Sequence, residues 1–144
     1  MSTLFALFVT LWGLIGTQVD VRHVDGAVKF TDLYGNAREA EAALGCPPSG
    51  APIMWLGTGV RLETIVHELA HAYDCLDDGL MNASPIRGER PVSRPAWVSD
   101  YCWNTDAEWY ACWVVRSGAI DASPKSTAAR PGSVLRGWLA GPPR

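Results

Sequence analysis

The sequence predicts a small α+β domain, with a few N-terminal strands packed on one amphipathic helix and a second helix following. Three observations predict it. The chain has 144 residues, 48% of them hydrophobic and 19% charged, which suits a single globular core. Short Val-rich stretches bounded by turn residues occupy its first third, the pattern of brief strands. From Leu62 the period changes: Leu62, Ile65, Val66, Leu69, Ala70, Tyr73 and Leu76 recur at spacings of three and four.

Taken in order, Met1 to Val19 carries no charged side chain, and Leu4 to Ile15 is a nearly continuous apolar run. As a helix that run is ~18 Å long, short of the ~30 Å needed to cross a bilayer but suited to a secretory h-region. Residues 1–18 are therefore expected to be a signal peptide or N-terminal membrane anchor; a buried element of the domain is the alternative. Val19 to Phe30 breaks at Asp25-Gly26 and reads as two strands joined in a hairpin. Asn36 to Leu44 is Ala- and Glu-rich and reads as a helix capped by Asn36 and stopped by Gly45. Ile53 to Leu56 is a brief strand. The periodic helix follows, with Thr58 as its N-cap and Asp77-Asp78-Gly79 as its stop. Residues 82–95 hold three prolines and three arginines and form a loop. A second helix starts near Thr105 and ends at Gly118, with Trp109 and Trp113 facing the core. The domain then spans 19–118, and 119–144 is a Pro-, Gly- and Ala-rich tail in which Leu135, Trp138 and Leu139 make a short amphipathic piece.

Charge and cysteines narrow the classes. A net charge of −3 lacks the electrostatic footprint of a nucleic-acid binder. Cys46, Cys75, Cys102 and Cys112 form no C-x-x-C pair, which argues against a Cys-only zinc site. An even count in a chain with an export-like start predicts at least one disulfide; four cysteines allow three pairings.

His67-Glu68-Leu69-Ala70-His71 reads H-E-x-x-H inside the predicted helix. Histidines at i and i+4 project from one face a turn apart, so both imidazoles reach one Zn²⁺ at ~2.0–2.1 Å. Glu68 is rotated ~100° from His67, beside such a metal rather than on it, where its carboxylate can serve as general base. These residues resemble the zincin metallopeptidase superfamily. The likeness covers this helix and the one after it, and it implies zinc as cofactor and a peptide or protein as substrate.

A zincin needs a third protein ligand. In the gluzincin pattern a glutamate on a downstream helix supplies it, and Glu108, 37 residues after His71, fills that place. Thr105-x-x-Glu108 also fits a capping box, which would spend the same carboxylate on backbone. In the metzincin-type pattern Asp77 would be the ligand, but Asp74 stands where that family turns at Gly, and no methionine follows Met81. His23 is the remaining alternative. Under the Glu108 reading, Asp74 and Glu63 share the histidine face and are expected to orient the imidazoles. Cys75 also lies one turn from His71, but a thiolate there would fill the open catalytic position. Tyr101, Tyr110, Arg87, Arg90 and Arg94 are candidate donors to a developing oxyanion.

The expectation is thus a secreted or extracytoplasmic zinc metallopeptidase with His67, His71 and Glu108 as ligands and Glu68 as base. The competing expectation is a zinc-stabilised binding domain without turnover. Glu68 favours the first, because a purely structural site needs no base.

Overall fold

The computed structural model describes residues 3–32, 34–86 and 90–118, and the expected tail lies outside them. The uncharged N-terminal run is helix α1, Thr3–Ile15. Its positions Leu7, Leu11, Leu14 and Ile15 fall on one face and are buried against the central helix. Phe5, Val9 and Trp12 remain exposed on the outer face. In this fold the segment expected as a leader, an anchor or a buried element packs its inner face into the core. No described helix is long and apolar enough to cross a membrane.

Five four-residue strands follow: β1 Asp20–His23, β2 Val28–Thr31, β3 Ala37–Ala40, β4 Ala42–Gly45 and β5 Ile53–Leu56. They make two sheets, β1-β5-β4 and β2-β3. β1 lies parallel to β5, with Asp20 opposite Ile53 and His23 opposite Leu56, while β4 runs antiparallel to β5. This corrects two expectations. Asp25-Gly26 is a corner between sheets, not a hairpin turn. Val24 N–H donates to Leu56 O and so extends the β1–β5 ladder, and Thr58 N–H then ties Gly26 O to the end of β5. Gly57 is required at that crossing, since a Cβ there would sit 2.5 Å from Gly26 O.

The Ala- and Glu-rich segment 36–44 is likewise strand rather than helix. Local propensity favoured a helix, but pairing prevailed. β3 pairs with β2, setting Lys29 opposite Glu39, and β4 closes the edge of the other sheet with Ala42 buried. The Asp32 carboxylate accepts from the backbone of Tyr34 and Asn36 and from Arg38 Nε, which fixes the β2–β3 turn. Asn36 caps no helix.

Helix α2, Leu62–Asp78, carries the central core face, with Val66, Leu69 and Ala70 fully buried. Its N-cap is Arg61, not Thr58, whose hydroxyl instead accepts from Gly26 N–H at 3.0 Å. Glu41, between β3 and β4, binds the Arg61 guanidinium at 2.6 Å and its backbone N–H at 3.0 Å. That ion pair holds the β4 edge beside the start of α2. Gly79 ends the helix in the left-handed conformation, as expected. Helix α3, Asp100–Trp103, and helix α4, Asp106–Ser117, complete the fold. Thr105 caps α4 and Gly118 stops it, and Trp109 and Trp113 are buried.

Both disulfides form. Cys46–Cys75 joins the loop after β4 to the last turns of α2, and Cys102–Cys112 joins α3 to α4. Of the three pairings the sequence allowed, this is the sequential one, first cysteine with second and third with fourth.

Candidate metal centre

α2 and α4 pack against each other, and their contact brings three side chains together. His67 and His71 stand one turn apart on α2, their rings 4.8 Å apart and nearly perpendicular. Glu108 enters from the first turn of α4. Its Oε2 lies 3.0 Å from His67 Nε2, and its Oε1 lies 3.0 Å from His71 Nε2. The Thr105 hydroxyl accepts from Glu108 N–H, so half of the expected capping box exists. The carboxylate does not return to the cap; it is turned to the histidines.

These are the residues among those described that could hold a metal ion, with donor atoms all within 4.8 Å of one another. The donor set passes a simple test of fit. Ligands bound at ~2.0–2.1 Å around a tetrahedral ion lie about 3.3 Å apart, close to the nitrogen–oxygen separations seen. Two imidazoles and a carboxylate also suit a borderline divalent ion such as zinc.

Electrostatics bind the group tightly. Glu108 is partly buried, which would raise its pKa, but hydrogen bonds and charge from His67 and His71 hold it far below the usual carboxylate range. His71 is 4% exposed; burial alone would depress its pKa, yet the hydrogen bond and charge of Glu108 raise it. Glu68 is 7% exposed and makes the opposite case. Its burial raises the pKa of the carboxyl, only partly offset by His71 and His67. It neighbours the ligand group without belonging to it.

Two cavities open on either side. One, about 660 Å³, lies on the His71 side and is walled by Val28, Phe30, Leu44, Trp55 and Met81. The other, about 630 Å³, lies on the His67 side and meets Glu41, Arg61, Trp97 and Arg116. Both are lined by Ala42 on the β4 edge and by Glu68 and Tyr101, so the two spaces adjoin across the site.

The other sequence candidates fall elsewhere. Asp77 is exposed at the end of α2, and His23 is exposed on β1; neither joins the group. Cys75 is consumed in its disulfide. Asp74 does not orient an imidazole as expected. Its fully buried carboxylate accepts from Ala83 N–H at 2.7 Å and from the Ser84 N–H and hydroxyl. Burial raises its pKa despite those bonds. Glu63 is also spent elsewhere, facing Arg61 at 3.8 Å, and His71 Nδ1 is buried without a partner. Of the candidate oxyanion donors, Tyr110 is in the core, and Arg87 lies outside the described residues. Arg90 bonds Asp106 and the Trp103 carbonyl, and Arg94 bonds Asp100 and the Val98 carbonyl. Among the described residues, Tyr101 is the candidate that reaches the site: it is 61% exposed overall, lines both cavities with Glu68, and its ring centroid lies 6.2 Å from that of His67. Loss of hydration and the nearby Glu108 charge raise its pKa.

Sequence reasoning missed the partner of His67 on its far side: Nδ1 faces the Cys112 sulfur at 3.8 Å. The signal was available, because Cys112 is one turn beyond Glu108 on α4. Fold and site thus define a small α+β domain whose His-His-Glu group could hold a metal. Comparison with family models, curated proteins and solved structures returns no match.

Proposed function

We propose that this protein is a zinc-dependent hydrolase of peptide bonds, similar in its site to the gluzincin metallopeptidases. One observation carries the reading. Glu68 is a buried carboxylate that borders the His67–His71–Glu108 group and both adjoining cavities yet ligates nothing. A carboxylate in that position has no use in a purely structural site.

A zinc ion held by His67, His71 and Glu108 supplies Lewis acidity toward a water molecule and a substrate carbonyl. The chain does the rest. The β4 edge and the cavity walls seat an extended peptide across the group. Glu68 accepts the proton of the attacking water and passes it to the departing amine nitrogen, a transfer favoured by the burial that raises its pKa. Burial around the site limits competing solvent. Two disulfides are compatible with an extracytoplasmic place of work, and we take that as its location.

Glu68→Gln tests the reading. It should keep metal and fold and lose cleavage of a peptide substrate by about 10²-fold or more. Turnover that survives the change contradicts Glu68 as base. A zinc-loaded parent that cleaves nothing across broad peptide libraries contradicts hydrolysis and leaves a metal-stabilised binding domain.

A further inference from the structure

A histidine that binds a metal through one ring nitrogen ordinarily donates its other N–H to a carboxylate or carbonyl, which fixes the ring. Among the described residues, neither imidazole has that support. Asp74 is spent on residues 83 and 84, Glu63 on Arg61, and His71 Nδ1 has no partner. What lies behind His67 instead is a disulfide, with Cys112 Sγ 3.8 Å from Nδ1. Sulfur is a weak acceptor, so this contact holds the ring by packing more than by hydrogen bonding.

The same disulfide reaches the other groups of the site. Cys112 follows Glu108 by one turn, so the link anchors the stretch of α4 that presents the carboxylate. Cys102 is the neighbour of Tyr101 on α3, a helix of four residues, too short to persist on its own. Tyr101 in turn shares a cavity wall with Glu108, and its ring centroid lies 6.2 Å from that of His67. Cys46–Cys75 offers a contrast. It pins a loop to the end of α2, and Cys46 Sγ meets Gly79 O rather than a ligand ring.

We propose that the Cys102–Cys112 disulfide is a positioning element of the metal centre, backing the His67 ring and holding the Tyr101 phenol beside His67 and Glu108. It takes the place of the carboxylate that usually orients a ligand histidine. The proposal rests on the reading of His67, His71 and Glu108 as metal ligands, not on hydrolysis.

The test compares Zn²⁺ affinity, by chelator competition, and the visible spectrum of the Co²⁺-loaded protein in four full-length chains. Cys102→Ser/Cys112→Ser and Tyr101→Phe should each bind Zn²⁺ about 10–100-fold more weakly, the range for losing an outer partner of a ligand, and should alter the Co²⁺ spectrum. Cys46→Ser/Cys75→Ser should lower the thermal midpoint while keeping the parent's affinity and spectrum. Parental affinity and spectrum in a folded Cys102/Cys112 variant would overturn the proposal. Should that variant fail to fold by circular dichroism, parental behaviour of Tyr101→Phe, which keeps both disulfides, would overturn it. A parent that binds no Zn²⁺ refutes the metal centre itself, a different failure.

Discussion

Glu108 Oε2 lies 3.0 Å from His67 Nε2, although 41 residues separate them in the chain. The contact joins two helices by their chemistry as well as by their apolar faces. A partly buried carboxylate between two imidazoles is costly unless its partners satisfy it, and here both do.

Metal uptake should release protons, because His71 must lose one to ligate. In the metal-free protein its pKa is raised above 6.5 by Glu108, so it binds more protons folded than unfolded in that region. That contribution to stability is fully present below about pH 6.5 and is lost as pH rises through the folded value. Zinc affinity should therefore climb with pH until the folded value, above 6.5, is passed and level off beyond it. Calorimetry in buffers of different ionisation enthalpy should show proton release just above 6.5; binding independent of both pH and buffer would refute the coupling.

Much of this site was legible in the sequence because helices announce themselves. The period of Leu62 to Leu76 and the H-E-x-x-H spacing together placed two imidazoles on one face, and Thr105 and Gly118 bracketed the helix of Glu108. The strands were not legible to the same degree. Residues 37–45 carry helix-favouring Ala and Glu, and it is cross-strand pairing with β2 and β5 that holds them extended. A contact outside the helix likewise hid the use of Asp74. Helical spacing put it on the histidine face, but nothing local revealed that a loop nine residues on would claim its oxygens.

That claim is itself testable. Ala83 adopts a positive φ of 63°, costly for a residue with a Cβ, while its N–H is held by Asp74. Asp74→Ala would leave buried N–H groups unpaired and should destabilise the fold by about 2–4 kcal/mol, with little change in zinc affinity. Ala83→Gly should be neutral or stabilising by up to about 1 kcal/mol. Denaturant unfolding checks both; a large loss of zinc affinity in a folded Asp74→Ala would return Asp74 to the metal site.

The place of α1 in the core has a direct consequence. Leu11 is fully buried, and Leu11→Ala should cost about 2–5 kcal/mol, as large-to-small core changes do. Val9→Ala, on the exposed face of the same helix, should cost under about 1 kcal/mol. Equal and negligible effects in chemical denaturation would mean that α1 does not pack as described.

On the proposed reading α2 and α4 together make one zinc site, and the stoichiometry of bound zinc is the measurement that decides it. Elemental analysis after exposure to zinc and removal of the excess should find about one zinc per parent chain. Glu108→Ala should hold far less than one, because it loses a ligand, whereas Asp77→Ala, exposed at the end of α2, should hold as much as the parent. A parent without stoichiometric zinc, or the reverse ranking of these two variants, would contradict the account.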